Sequence, residues 1–453
     1  MCHVGILWEG DGYPLAAAGQ MLHGKVLYRD IWFDKPPLVA LFSLVPDARA
    51  GWPLRLADAL SAWLACWVCY AFARDLWSRQ EGLRAAGLVG FFLIFDFPVA
   101  VIPAASDMLM LAPHVAAVWL AWKARPFWSG VLAGVAFWIS PKGFFVAAAC
   151  ALWNPAGILW MVAGFAAVGG AGAFGLWIRG ALGAYWQEVW EWGRFYAASS
   201  PEASPLANGL VRTADWMGFH AAIAIAALFF LWRGRARERW LWAGWMVISL
   251  AGVAMGMRFF PRYYLELLPV LALTAARGFT LLGRRRVLVA LLLVIPLARF
   301  APTYLAALTR PDWRDTAMDR DSRAAAAIVD RLARPGDSLF VWGYRPEIYV
   351  YTHLPAATRY LDSQPLTGVP ADRHLTESTP VETRMPRVRR EDLARARPVF
   401  IVDGLGRYNP RLALESFPDL EPWLAGYREV ARTAGSVIYQ AASPAGPAGR
   451  PLP

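Results

Sequence analysis

The chain has 453 residues, of which 57% are hydrophobic and only 17% charged, and its mean hydropathy is +0.35. This composition excludes an ordinary soluble globular protein and indicates a chain that crosses a membrane several times. Most of the formal net charge of +11 lies before residue 301, among the hydrophobic segments. It therefore indicates basic cytoplasmic loops and a phosphate site, and no nucleic acid partner is expected.

A polar stretch precedes the first hydrophobic segment. It reads WEGDGY at positions 8–13, HG at 23–24, YRD at 28–30 and DKPP at 34–37. Acids and a lysine at the edge of a membrane bundle are costly unless they do chemistry or bind a charged ligand. This stretch is therefore the first candidate for a functional site.

Hydrophobic runs then follow as far as residue 301. They predict ten spans, at 54–74, 86–104, 107–122, 127–140, 143–154, 156–178, 219–233, 240–257, 263–282 and 286–301. The fourth and fifth runs are shorter than the roughly 20 residues that cross a bilayer, so they could be one broken span or two short helices. The positive-inside rule assigns the loops to the two sides of the membrane consistently only if these two short runs are separate crossings.

Basic residues decide which loops face the cytoplasm. They cluster at 74–84, 123–125, 233–239 and 284–286, and the positive-inside rule puts all four clusters inside. Residues 1–53, 179–218 and those after about 301 are then outside. No hydrophobic segment stands ahead of the first loop to carry it across, so we expect one further transmembrane helix upstream. The alternative is a relative that has lost this helix.

The sequence changes character after residue 301. A helix is predicted at 321–333 and strands at 338–342, 398–403 and 436–440, with charged, Pro-rich segments between them. This alternation predicts a small α/β domain at 301–441 that follows a membrane domain at 1–300. The Pro, Ala and Gly of 442–453 predict a disordered tail.

The order of these motifs resembles the GT-C superfamily of membrane glycosyltransferases, in the branch related to dolichyl-phosphate-mannose–protein mannosyltransferases. The resemblance covers most of the chain and rests on the first loop, on RFFPRYYLELLP at 258–269 and on VWGYRPEIY at 341–349. It implies a polytopic α-helical membrane protein with a small C-terminal extracytoplasmic α/β domain. It also implies sugar transfer, with inversion, from a polyprenyl-phosphate donor to an extracytoplasmic glycan, lipid or protein, at the outer face of a bacterial inner membrane.

Three acids are candidates for activating the acceptor hydroxyl. Relatives carry two adjacent acids before Gly-Tyr; here Gly10 takes the first position and Asp11 the second, so Asp11 is the preferred base and Glu9 its shifted partner. Asp107 lies where an outside loop enters a helix, and the family has an acid at a similar point. The alternatives are a solvated loop acid for Glu9 or Asp11 and a helix cap for Asp107.

Four cations are candidates for holding the donor phosphate. Lys35 follows from the acid-Lys-Pro-Pro motif, and Arg258 and Arg262 could form an anion site at the start of an outside helix. Arg262 stands where relatives often have His, which favours a phosphate contact over proton transfer. Lys142, between two short helices, is the fourth candidate. The alternative for Lys35 and Lys142 is a lysine that extends toward the membrane interface.

Tyr13, Tyr263 and Tyr264 are expected to line the substrate cavity. No cofactor is assigned, although two acids at one cavity could share a divalent metal. Cys66 and Cys69 form a C-x-x-C inside an apolar helix, which favours helix packing over redox or zinc chemistry.

Two rival functions remain open. A transporter or flippase of a lipid-linked anion also explains broken helices and intramembrane cations, but it does not explain the acidic first loop or the large C-terminal domain. A non-catalytic GT-C relative is suggested by the departures at Gly10 and Arg262.

Overall fold

The computed structural model describes residues 2–198, 204–234, 236–310, 312–369 and 384–442. The chain divides into two compact units. The first contains the residues up to Asp11 and Phe33–Trp313, and the second contains Gly12–Trp32 and the described residues from Arg314 onward. The predicted tail at 442–453 lies outside the described residues, apart from its first residue.

The first helix of the chain, α1 (Gly12–Leu22), belongs to the second unit. The regular structure in the described residues of the first unit consists of helices joined by loops. Its helices are α2 Pro37–Phe42, α3 Trp52–Leu76, α4 Arg79–Phe92, α5 Pro98–Val101, α6 Ser106–Trp122, α7 Pro126–Ile139, α8 Gly143–Trp153, α9 Ile158–Ile178, α10 Leu182–Tyr185, α11 Trp192–Ala198, α12 Pro205–Phe219, α13 Ala221–Arg233, α14 Ala236–Ala254, α15 Leu268–Leu281, α16 Arg286–Leu291 and α17 Val294–Thr309.

Within the described part of the chain, three helical segments are long and apolar enough to cross a membrane, namely Trp52–Leu76, Pro155–Ile178 and Gly283–Thr309. Helices α12 and α13, bent by 95° at their junction, would add a fourth if they form one span. The ten predicted spans are therefore not confirmed. The physical reason is length: α7 and α8 have 14 and 11 residues, which at about 1.5 Å per residue fall short of the hydrocarbon core.

Close helix contacts in this unit depend on glycine. Gly130 of α7 and Gly164 of α9 lie against each other's helix backbone: a Cβ at Gly130 would be 1.9 Å from the Met161 carbonyl oxygen, and one at Gly164 would be 2.0 Å from that of Phe127. Small residues let two helices approach in this way where lipid supplies no hydrophobic driving force. The pairing of α7 with α9 thus needs glycine at both positions.

The second unit contains a mixed four-stranded sheet. Its strands are β1 Leu339–Trp342, β2 Phe400–Asp403, β3 Tyr427–Arg432 and β4 Val437–Ala441, in the order β1-β2-β4-β3, with β1 parallel to β2 and the other pairs antiparallel. Its other helices are α18 Ala317–Leu332, α19 Glu347–Thr352, α20 Gln364–Thr367, α21 Arg384–Leu393 and α22 Glu421–Leu424. The three predicted strands and the predicted helix are confirmed, with ends shifted by at most four residues. Strand β3 was missed, since it is an edge strand with charged, exposed residues and no apolar run.

The VWGYRPEIY motif builds the interior of this unit. Arg345 is fully buried, and its guanidinium lies 3.1 Å from Asp321 of α18 and 3.2 Å from Glu347 of α19. Asp321 also accepts hydrogen bonds from the Gly435 amide and the Ser436 hydroxyl, both at 2.7 Å. A buried charge of this kind requires paired and hydrogen-bonded partners, so the motif joins α18, α19 and the β3–β4 turn.

The middle of the polar first loop is also part of the second unit. The Gln20 side chain bonds the Leu354 carbonyl at 3.1 Å and the Ala356 amide at 2.7 Å, and the Trp32 amide bonds the Arg359 carbonyl at 2.7 Å. The predicted membrane domain at 1–300 includes this segment, whereas its contacts place it in the second unit. These pairings join residues more than 300 positions apart, which no local pattern encodes.

Candidate functional site

Asp11 lies at the centre of a buried ionic cluster of the first unit. Arg55, on the first turn of α3, donates to both carboxylate oxygens of Asp11 at 2.6 and 3.2 Å, and to Asp58 at 2.6 Å. The Trp8 amide adds a hydrogen bond of 2.8 Å to Asp11. All three charged side chains are at most 8% exposed. The cluster holds the Asp11 carboxylate in one orientation.

Arg55 also fixes the polypeptide ahead of this acid. Its guanidinium donates to the Ile6 carbonyl at 2.6 Å and to the His3 carbonyl at 3.3 Å. Burial lowers the pKa of His3 to about 4, and the positive charge of Arg55 adds to the effect. On the other side, Asp58 accepts a hydrogen bond of 3.2 Å from the Ala104 amide. One arginine and one aspartate thus tie the first loop to the segment that leads into α6.

Gly10 and Glu9 of the first loop face Arg262. Gly10 has a φ of +111°, and a Cβ there would lie 3.5 Å from Arg262 Nη1 and 3.5 Å from Ala105. The neighbouring Glu9 reaches the same arginine and accepts a hydrogen bond of 3.0 Å from its Nη2. Glu9 is 58% exposed and Arg262 22%. Arg262 is thus paired with Glu9 and lies next to Gly10.

Three of the predicted phosphate ligands lie near one another. Lys35 interacts electrostatically with both Arg262 and Tyr196. Arg258 stacks on the Tyr196 ring at 3.8 Å and donates to its carbonyl at 2.8 Å. The surroundings desolvate Lys35, which would lower its pKa, but Asp34 at 2.9 Å and Tyr196 outweigh this and raise it. Lys35 is therefore cationic at neutral pH, and the group carries three positive charges.

Asp107 and Lys142 form a second buried cluster. Lys142 lies in the break between α7 and α8, where Pro141 interrupts the helix, and its ammonium is 2.7 Å from Asp107 on the first turn of α6. The same ammonium lies 3.9 Å from the Tyr263 ring centroid and 4.0 Å from Glu266. Tyr263 and Glu266 belong to the 3-10 turn Pro261–Glu266, which also carries Arg262. This turn connects the cationic group to the second cluster.

Two other residues predicted to line the cavity, Tyr264 and Tyr13, have different partners. Tyr264 points away from Tyr263: its hydroxyl bonds Thr213 at 2.9 Å and its ring stacks on Trp216, both on α12. Tyr13 belongs to the second unit, where its hydroxyl donates to the Trp32 carbonyl at 2.9 Å. Adjacent positions on a turn point to different sides, which explains why Tyr263 and Tyr264 separate.

Sequence reasoning missed Arg55, Asp58 and Glu266. A usable signal existed, since all three are charged residues inside predicted spans, where charge is expensive and usually functional. Arg55 and Asp58 are also three residues apart, the spacing of a helical ion pair.

A divalent metal has no ready-made site. Among the described residues, no group of three or more His, Cys, Asp or Glu side chains lies together to hold a metal ion. Both buried acid clusters already contain a cation, Arg55 in one and Lys142 in the other. A cleft of about 430 Å³ lined by Arg125, Trp128, Trp160 and their neighbours contains none of the candidate residues.

No protein-family model and no curated protein matches the sequence. In structure, the chain is similar to ArnT from Cupriavidus metallidurans bound to undecaprenyl phosphate, with a TM-score of 0.60 and 15% identity over 98% of this chain and 95% of that one. Apo ArnT gives 0.59 and 14% over 95% and 93%. An Archaeoglobus fulgidus oligosaccharyltransferase tethered to an acceptor peptide gives 0.50 and 14%, over 97% of this chain and 70% of that one.

These likenesses define the class of fold: the chain has the GT-C fold, and among its described residues three helical segments are long and apolar enough to cross a membrane. Within that class, the similarity to ArnT extends over nearly the full length of both chains. At 15% identity it concerns the fold, and the roles of individual residues remain proposals.

Proposed function

We propose that this protein is a membrane glycosyltransferase that transfers a sugar from a polyprenyl-phosphate donor to an acceptor outside the cytoplasm. The observation that carries the proposal is the grouping of Lys35, Arg258 and Arg262 beside two buried acid clusters. The likeness in fold to an ArnT bound to undecaprenyl phosphate supports a lipid phosphate as the ligand of these cations.

The three cations suit the charge that develops in this reaction. Breaking the bond between the anomeric carbon and the phosphate oxygen turns a phosphodiester with one negative charge into a monoester with up to two. Cations that are already in place stabilise that extra charge more strongly than they stabilise the donor, which is the requirement for catalysis. Arg262 has Glu9 as its partner before the donor arrives, and that partly exposed pair can open at little cost.

Asp11 is proposed as the base that takes the proton of the acceptor hydroxyl. Two bonds from Arg55 and one from the Trp8 amide orient its carboxylate. Asp107 would accept a hydrogen bond from the same hydroxyl, and Glu9 would assist beside Arg262. Lys142 would balance the charge of Asp107. Tyr263, between Lys142 and the arginines, would line the donor cavity.

The proposed setting is a bacterial inner membrane, with the site facing the periplasm. The acceptor would be a cell-envelope glycan, a lipid or a protein. The positive-inside distribution of the basic loops supports this orientation.

The test is sugar transfer from a radiolabelled polyprenyl-phosphate donor in proteoliposomes. We expect Asp11→Asn and Lys35→Met to lower the transfer rate at least about 100-fold, the usual loss for a general base or an oxyanion contact. Arg49→Met is the matched control, since Arg49 pairs with Asp47 at an exposed site.

Full transfer by Asp11→Asn and Lys35→Met would overturn the site assignment. Movement of the labelled donor across the bilayer without sugar transfer would instead indicate a transporter. Binding of the donor with neither movement nor transfer would indicate a non-catalytic relative.

A further inference from the structure

Glu266 is a carboxylate that the proposed mechanism does not use. It ends the 3-10 turn Pro261–Glu266 and is 1% exposed. Among the residues that the structure describes, neither of its side-chain oxygens has a hydrogen-bond partner, and the Lys142 ammonium lies 4.0 Å away. A buried carboxylate without hydrogen bonds is costly, so its presence calls for a physical reason.

The packing around Glu266 holds it close to Lys142. A Cβ at Gly252 of α14 would lie 2.4 Å from both carboxylate oxygens, so Glu266 is pressed against the α14 backbone on that side. The charged and titratable groups that face Lys142 are Asp107 of α6 and Tyr263 and Glu266 of the turn. One ammonium is thus shared by two buried carboxylates, with the Tyr263 ring beside it.

The two carboxylates are not equivalent. The Lys142 ammonium lies 2.7 Å from an Asp107 oxygen and 4.0 Å from a Glu266 oxygen. A rotation within the flexible lysine side chain can close the longer distance. A buried ammonium cannot lose one carboxylate without another, because an uncompensated charge in a low-dielectric interior is strongly unfavourable. Glu266 supplies the second carboxylate.

We propose that Glu266 is the alternate counterion of Lys142. When the acceptor arrives, the Lys142 ammonium shifts from Asp107 toward Glu266 and stays between the two carboxylates, so neither is left uncompensated while Asp107 accepts the hydrogen bond of the acceptor hydroxyl. Glu266 is a positioning residue in this scheme and does not touch the substrate. The role of Asp107 rests on the proposed function, whereas the sharing of Lys142 does not.

A thermal double-mutant cycle tests the sharing of Lys142 without any activity. Asp107→Asn alone leaves Glu266 to compensate Lys142, and Glu266→Gln alone leaves Asp107, so each single loss in melting temperature is small. The double variant leaves the ammonium buried alone. Its loss should exceed the sum of the single losses by at least about 3 °C.

The matched control is Glu188→Gln combined with Asp107→Asn. Glu188 is equally buried but accepts a hydrogen bond of 2.8 Å from the Phe33 amide. This pair of substitutions should give additive losses. Additive losses for the Asp107 and Glu266 pair as well would overturn the proposal.

Transfer kinetics then test the movement of Lys142. Glu266→Gln, nearly isosteric with Glu, should lower kcat about tenfold and leave the donor KM unchanged, and Glu266→Asp should restore part of the loss. A role in packing alone predicts an unchanged kcat for Glu266→Gln, which would refute the movement. If the unsubstituted protein transfers no sugar, the proposed function and the movement fail together, and the thermal cycle still decides whether Glu266 shares Lys142.

Discussion

Arg55 donates hydrogen bonds to both oxygens of the Asp11 carboxylate, and its own side chain is only 8% exposed. The same guanidinium holds Asp58, so a single cation neutralises two buried acids. Their arrangement therefore depends on one side chain.

Replacement of Arg55 by methionine should destabilise the protein severely. Removing one partner of a buried pair leaves an uncompensated charge and costs about 3–5 kcal/mol. We expect a large fall in melting temperature in detergent micelles, whereas Arg49→Met, at an exposed pair, should change it little. Equal melting temperatures for the two variants would contradict the cluster.

Replacement of Glu9 by glutamine should tighten binding of the donor phosphate. The substitution removes the charge that occupies Arg262, and a partly exposed pair of this kind is worth about 0–1 kcal/mol, so Kd should fall up to about fivefold. Titration with a short-chain polyprenyl phosphate measures it. Asp47→Asn, another acid of the first loop, is the control and should leave Kd unchanged. A weaker affinity in Glu9→Gln would mean that Glu9 itself contacts the donor.

His3 should make the protein less stable as the pH falls. The pKa of His3 is about 4 in the folded chain and 6.5 for the free side chain. Between pH 4 and 6.5 the unfolded state therefore binds a proton at His3 and the folded state does not. The contribution of His3 is complete above pH 6.5 and is lost progressively toward pH 4. Melting temperatures from pH 7.5 to 4.5 should decline less steeply for His3→Gln than for the unsubstituted protein, and parallel curves would refute this.

Replacement of Gln20 by alanine should loosen the second unit. The Gln20 side chain donates a hydrogen bond to the Leu354 carbonyl and accepts one from the Ala356 amide. The variant leaves both backbone groups without that partner. The expected cost is about 2–3 kcal/mol. Amide hydrogen exchange measures it at the Ala356 amide. The reference variant is Met21→Ala, whose side chain lacks this pairing; comparable exchange in both variants would argue against the role of Gln20.

The sequence predicted the class of fold better than the arrangement of the site. Hydropathy, the order of motifs and the three predicted strands led to the GT-C fold with a small C-terminal sheet. Lys35, Arg258 and Arg262 were selected as a group, and the structure brings them near one another. The number of spans was not confirmed, because hydropathy registers apolar composition and several of these helices are short.

The partners of the acids could not be predicted in the same way. Asp11 and Arg55 are 44 positions apart, and Asp107 and Lys142 are 35 apart, so only the folded chain joins them. Charges within hydrophobic segments did carry information. Treating Arg55, Asp58 and Glu266 as exceptions in need of a partner would have identified three more residues of the site.

The polar first loop has a consequence for how this chain can be shortened. Asp11 and Phe33 belong to the first unit, and everything between them belongs to the second. A protein cut after Trp313 would keep both ends of the loop and lose the partners of its middle, including the segment from His353 to Arg359 to which Gln20 and Trp32 are hydrogen-bonded. The buried face of α1, with Leu15 and Ala17, would then be left uncovered directly after Asp11. The second unit is therefore built from two separate parts of the chain, and removing the residues after Trp313 would also destabilise residues 12–32.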